Sequence, residues 1–114
     1  MREFKFRAWD KTRKLFFPWG FNVQRDGSWF AGPPSIPDAV QSQYTGLKDK
    51  NGKEIWEADI ATDGHRSFIV EYNISMAGFM ATSQYLMMDI GQNAHILEVV
   101  GNIYENPKLL GAKT

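Results

Sequence analysis

From Arg2 to Asp10 apolar and charged residues alternate, with Phe4, Phe6 and Ala8 on one side and Glu3, Lys5 and Arg7 on the other. A period of two is the signature of a strand with one buried face. The polar stretch from Asp10 to Lys14 then leads into Leu15-Phe16-Phe17, so the spacing predicts a β-hairpin. Pro18 and Gly20 interrupt its second arm. Arg25-Asp26-Gly27-Ser28 reads as another turn, because Asp-Gly supplies the positive φ that tight hairpins need. Pro33, Pro34 and Pro37 remove backbone donors and fix an extended path, which makes this stretch a loop or arm and the one candidate linker.

Beyond it, Tyr44 to Ile60 reads as two short extended pieces joined at Asp49-Lys50-Asn51-Gly52, where Asn-Gly is a strong hairpin signal. A turn follows at Asp63-Gly64. Phe68, Val70 and Tyr72 alternate against Ile69 and Glu71, and a further strand runs from Ala77 through Ser83. Leu97, Val99, Gly101 and Ile103 against Glu98, Val100 and Asn102 predict the last strand, with a bulge at Gly101. Asn106 at a cap position and Pro107 at the first helical position predict one helical turn over Lys108 to Leu110, with Gly111 beyond it. Short strands at close spacing and little helical periodicity give a mostly-β chain. The expected architecture is a small SH3-like barrel from about Tyr44 onward, an N-terminal β-hairpin packed on it and one short C-terminal helical turn. In residue numbers this is one domain over 1–114: a hairpin region 1–30, a proline-rich loop 31–42 and a barrel-like part 43–114.

Composition changes the picture in two ways. A chain of 114 residues can bury about 65% of its unfolded surface, so one core is affordable without cross-links. Cysteine is absent, which leaves no disulfide framework or thiolate metal site and makes a reducing cytoplasm the expected location. Neither a signal-peptide stretch nor an apolar run long enough to span a bilayer is visible, so no membrane association is expected.

Net charge is zero, but the charge is segregated along the chain. Up to Lys53 there are ten bases (Arg2, Lys5, Arg7, Lys11, Arg13, Lys14, Arg25, Lys48, Lys50, Lys53) against five acids. From Glu54 to Glu105 the only base is Arg66, against eight acids: Glu54, Glu57, Asp59, Asp63, Glu71, Asp89, Glu98 and Glu105. Charge pairing between the two segments is the plainer reading. Head-to-tail self-association, or docking of a charged partner, is the sharper one.

Residues that could carry chemistry are sparse. No Gly-x-Ser-x-Gly motif or phosphate-cradling loop occurs. Asp49-Lys50-Asn51-Gly52 lacks the glycine and glutamate spacing of a calcium loop. His65 and His95 are too far apart for a ligand pair and read as solvated loop residues. On an extended segment Glu57 and Asp59 would share a face, the arrangement acid/base or Mg²⁺ chemistry would want, although adjacent acids at a solvated strand end are commoner. In the basic hairpin, Trp9 lies by parity with Arg7 and Lys5, the composition of a stacking platform for single-stranded nucleic acid. Phe4 and Phe6 fall on the opposite, core side.

Three stretches occur together: Lys5-Phe6-Arg7-Ala8-Trp9-Asp10, then Gln43-Tyr44-Thr45-Gly46-Leu47-Lys48-Asp49-Lys50-Asn51-Gly52-Lys53-Glu54-Ile55, and finally Val99-Val100-Gly101-Asn102-Ile103-Tyr104-Glu105-Asn106-Pro107. In that order and at those separations the chain resembles the YopX family of small proteins encoded by bacteriophages and prophages. The resemblance runs from Arg2 to Leu110 and is loosest over 16–42 and 76–94. It implies a phage or prophage accessory protein of a bacterial cytoplasm and brings no catalytic residue with it. The family pattern reads Glu-Gly-Asp-Ile where this chain has Glu57-Ala58-Asp59-Ile60, which predicts that the positive φ of that glycine is unused or not required here.

The middle and last stretches have an architectural reading, the one setting a hairpin and the other ending a strand. Arg7, Trp9, Asp10, Tyr44 and Lys48 are less required by turns and, with Lys5, make up the candidate binding surface. The resulting expectation is a non-enzymatic module that binds a host or phage protein, or its own copies, without cofactor or metal. The alternative is single- or double-stranded nucleic-acid binding through the basic hairpin, and a third reading is an enzyme using Glu57 and Asp59. The extended geometry of the arm from Pro33 to Pro37 permits packing on its own domain or on a neighbouring subunit.

Overall fold

The computed structural model describes residues 5–19, 21–23, 29–31 and 39–111. Phe4, Gly20, the turn at Asp26-Gly27 and the arm from Pro33 to Pro37 lie outside them. The chain is mostly β, as its alternation predicts, and divides into two units, Met1–Gln43 and Tyr44–Thr114.

In the first unit, β1 (Phe6–Asp10) and β2 (Leu15–Trp19) form the expected antiparallel hairpin, with Trp9 opposite Phe16 and Arg7 opposite Pro18. The second arm is not interrupted at Pro18. β2 pairs with β1 alone among the described residues, and an edge strand tolerates a residue that cannot donate. The loop closes through Lys14 N–H donating to the Asp10 carbonyl at 2.7 Å, with Lys14 itself at φ +57°. β3 (Phe21–Val23) and β4 (Trp29–Ala31) pair antiparallel. β5 (Ala39–Lys48) pairs with β1 over Ala39 to Gln43. β1 has partners on both edges and is not the half-buried strand its alternation suggests: consecutive residues Ala8, Trp9 and Asp10, which point to alternate faces, are all buried.

In the second unit, β5 continues to Lys48 and pairs with β6 (Glu54–Trp56). Then β7 (Asp59–Thr62), β8 (Ser67–Asn73), β9 (Gly78–Thr82) and β10 (Met87–Asp89) form an antiparallel meander, which β11 (Glu98–Asn102) extends by pairing with β7. Phe68, Val70, Phe79 and Ala81 point to one face and pack with Ile55, Ala61, Ile90, Leu97 and Val99 into a single core. A short helix α1 (Ile90–Asn93), capped by the Asp89 carboxylate on Gly91 N–H at 2.9 Å, and a 3₁₀ turn over Ala94–Ile96 deliver Ile90, Ala94 and Leu97 to that core. Helical periodicity does not reveal elements of three and four residues. Tyr72, placed with Phe68 and Val70 by parity, is 47% exposed at the strand's far end and packs edge-on against Phe79.

The expected bulge in the last strand is present between Val99 and Gly101; Val100 is exposed as the alternation predicts, and beyond the bulge the alternation shifts so that Asn102 is buried. A Cβ at Gly101 would collide with the Asn106 carboxamide, so the bulge requires glycine for close approach. The C-terminal helical turn is α2 (Lys108–Gly111), which includes Gly111 rather than ending before it.

Two corrections concern Glu57-Ala58-Asp59. Glu57 and Ala58 form the turn between β6 and β7, so Glu57 and Asp59 do not share the face of one strand. Ala58 adopts φ +75°, so the positive φ is used after all. Its N–H donates to the Val70 carbonyl at 2.7 Å and its carbonyl accepts from Ile103 N–H at 3.0 Å, and these contacts with neighbouring chain hold the backbone there. An L-residue in this region costs roughly 1–2 kcal/mol.

Candidate binding site

Each of the six residues expected to form a binding surface has a definite place. In the first unit the Arg7 guanidinium lies 3.9 Å from the Phe16 ring centroid and donates through Nε to Ser42 Oγ at 3.2 Å. Trp9 is 6% exposed with its ring 4.9 Å from that of Phe16. Phe16 therefore has the Arg7 guanidinium over its ring and the Trp9 ring tilted against it at 60°, as cation–π and cross-strand pairs do. Lys5 is half-buried ahead of β1. Asp10 is buried, accepting from Thr12 N–H at 2.9 Å and Arg13 N–H at 3.2 Å, and so organises the hairpin loop. In the second unit Tyr44 is 3% exposed against Trp56, ring centroids 5.4 Å apart, and Lys48 is exposed beside the β5–β6 turn.

The buried carboxylates of the second unit serve the backbone. Asp49 accepts from Asn51 N–H at 2.8 Å and Lys53 N–H at 2.9 Å within its own turn, and from Val99 N–H of β11 at 2.8 Å. Lys50 N–H adds a bond to the Leu97 carbonyl at 2.9 Å, so this turn covers the outer edge of β11. Asp59 accepts from Trp56 N–H at 2.8 Å. His65 and His95 are exposed, and among the described residues no three His, Asp or Glu side chains gather as a metal site.

A groove opens instead on the face of β8 and β9 opposite the core. Its cavity volume is about 400 Å³, and its walls include Arg66, Ile69, Glu71, Thr82, Tyr85 and Leu110. Three local devices build it. The Asp63 carboxylate accepts from His65 and Arg66 N–H, both at 2.9 Å, and Thr62 Oγ1 donates to the Arg66 carbonyl at 2.7 Å, which fixes the loop carrying Arg66. The Arg66 N–H holds the Asp63 carboxyl below its usual value against the opposing effect of burial, helped by His65. On the other wall, Ser83 and Leu86 exchange backbone and hydroxyl hydrogen bonds that set the β9–β10 turn, leaving Tyr85 88% exposed.

The third device brings Leu110. Asn102 Oδ1 accepts from Tyr104 N–H at 3.0 Å and Glu105 N–H at 2.9 Å, while Asn106 Oδ1 accepts from Asn102 N–H at 3.2 Å. These bonds turn the chain after β11, and Pro107 starts α2 against β8. Thr82 Oγ1 is the one buried side-chain polar atom without a partner among the described residues.

The YopX protein family matches residues 5–111, nearly the whole chain. The chain belongs to the YopX family. The crystal structure of EF1440 from Enterococcus faecalis is similar to it at 27% identity and TM-score 0.62, covering 96% of this chain and 99% of that one. The crystal structure of yopX from Bacillus subtilis shares the fold at 19% identity and TM-score 0.55, covering 93% and 97%. No curated protein matches. The glycine of the YopX pattern at position 58 would suit the backbone that Ala58 occupies.

Sequence reasoning missed the groove because its residues come from three separated stretches. One signal was present: Arg66 interrupts an otherwise acidic run.

Proposed function

We propose that this YopX protein is a non-enzymatic binding module of a phage or prophage, working in a bacterial cytoplasm and engaging another protein through the groove over β8 and β9. The observation that carries the reading is the meeting of Arg66, the lone base of the acidic stretch, with an 88% exposed tyrosine, Tyr85, over an apolar floor. Concave sites with apolar walls and a few convergent polar groups are the usual form of a recognition site. The engagement of Asp49, Asp59 and Asp63 by backbone N–H groups supports structural roles for these acids.

The test is photo-crosslinking in bacterial cells with p-benzoylphenylalanine in place of Tyr85. A discrete adduct with a second protein, reduced by Arg66→Glu, is expected. Absence of any adduct would overturn the reading, and so would salt-sensitive binding of labelled DNA or RNA that Lys5→Ala and Arg7→Ala abolish, which would move function to the basic hairpin.

A further inference from the structure

The groove has a charge at each end and apolar surface between. Arg66 precedes β8 and Glu71 stands five residues on, so their Cα atoms lie roughly 17 Å apart along extended chain. Neither side chain makes an ion pair or hydrogen bond among the described residues. Ile69 lies between them, Leu110 comes from α2, and the exposed ring of Tyr85 stands at the wall.

Resting on the binding-module reading, we infer that this groove takes an extended peptide segment with an acidic side chain at the Arg66 end, a basic side chain at the Glu71 end and apolar side chains between them. The spacing decides the class. A free amino acid holds its two charges only about 3 Å apart, far short of the separation along β8, whereas a peptide advances about 3.3–3.6 Å per residue. After allowance for the reach of the arginine and glutamate side chains, the two peptide charges stand about three to five residues apart. β7 pairs with β8 over Ser67 to Ile69 on one edge and β9 over Ile69 to Asn73 on the other, and the groove lies on the sheet face and not at an edge, so the peptide is read through side chains over that face and not by strand addition. The stretch from Glu54 to Glu105 holds one base against eight acids, which disfavours a polyanionic occupant such as nucleic acid.

A displayed library of random heptapeptides, panned separately on the wild-type chain and on the charge-swapped double variant Arg66→Glu/Glu71→Arg, tests this directly. Wild type is expected to enrich an acid and a base bracketing apolar residues, and the swapped variant to enrich the reverse order. A labelled peptide of the wild-type consensus should bind Arg66→Glu about tenfold more weakly by fluorescence anisotropy. Arg66 bonds through its backbone N–H and carbonyl, and Glu71 is exposed, so both variants should keep the wild-type circular dichroism spectrum.

Enrichment of the same peptides by both proteins would overturn the inference while leaving the module reading to the crosslinking result. No enrichment on wild type overturns it as well. Dimers of the wild-type chain that Arg66→Glu dissociates would assign the groove to a second copy and overturn it in another way.

Discussion

At the turn between β5 and β6 the residue with positive φ is Gly52, at +83°, and at the turn between β6 and β7 it is Ala58, at +75°. Each turn carries a buried aspartate whose carboxylate accepts backbone N–H groups, Asp49 in the first and Asp59 in the second. The first turn matches its sequence to its backbone, since Gly52 N–H closes onto the Asp49 carbonyl at 3.0 Å and a residue without Cβ takes the left-handed position. The second holds an L-residue in the same region, and hydrogen bonds to Val70 and Ile103 keep it there. Surrounding structure can impose a backbone conformation that the residue itself disfavours, at a cost of about 1–2 kcal/mol.

The largest effect is expected at the anchor of the first turn. Asp49→Ala removes the acceptor for Asn51, Lys53 and Val99 and releases the turn from the edge of β11. Buried donors left without partners cost about 1–3 kcal/mol each, and relaxation toward solvent recovers part of that, so a loss of about 3 kcal/mol is expected in urea unfolding. A loss under about 1 kcal/mol would mean that the carboxylate decorates a turn that stands without it.

Next come the two exchanges that set the turns against each other. Gly52→Ala adds a methyl that meets nothing within 4 Å, so its cost is purely that of the backbone, about 1–2 kcal/mol. Ala58→Gly is the reverse experiment and should stabilise. Its gain is smaller, about 0.5–1 kcal/mol, because the Ala58 methyl is buried and its packing is lost. If both substitutions destabilise, packing of the methyl exceeds the strain, and the two turns differ in what they bury more than in their backbones.

The same comparison shows which features were legible in the sequence. Asn51-Gly52 announced its turn because glycine there is the cheapest way to reach positive φ. The bulge at Gly101 and the alternation of Phe68 and Val70 were visible for equally local reasons. Ala58 announced nothing, because the conformation comes from partners at 70 and 103. Trp9 and Tyr44 looked available for binding since the alternation of a strand tells nothing of what covers each face, and both are buried. The groove was hidden for a related reason: its walls, Arg66, Thr82, Tyr85 and Leu110, meet only after β8 and β9 pair and α2 packs on β8.

The smallest expected effect separates the Asp49 anchor from the Asp63 loop by acid titration. Burial acts to raise the Asp49 pKa, but hydrogen bonds from Val99, Lys53 and Asn51 N–H, with the nearby Lys53 charge, outweigh it and leave the carboxyl below its ordinary value. For a depressed carboxyl the unfolded chain binds more protons than the fold in the interval between the two pKa values. The stabilisation is therefore complete above the unfolded value of about 3.9 and is lost as pH falls from there through the folded value. Asp63 has the same sign, with the Arg66 N–H as the leading cause. Its bonds stay within one exposed loop, whereas Asp49 ties its turn to a separate strand, so protonating Asp49 should unfold more of the chain. Urea midpoints at pH 7, 5 and 3 should fall less for Asp49→Asn than for wild type, with Asp63→Asn close to wild type. Equal acid sensitivity in all three would show that neither carboxylate couples the fold to pH, and would reduce the Asp49 anchor to its neutral hydrogen bonds.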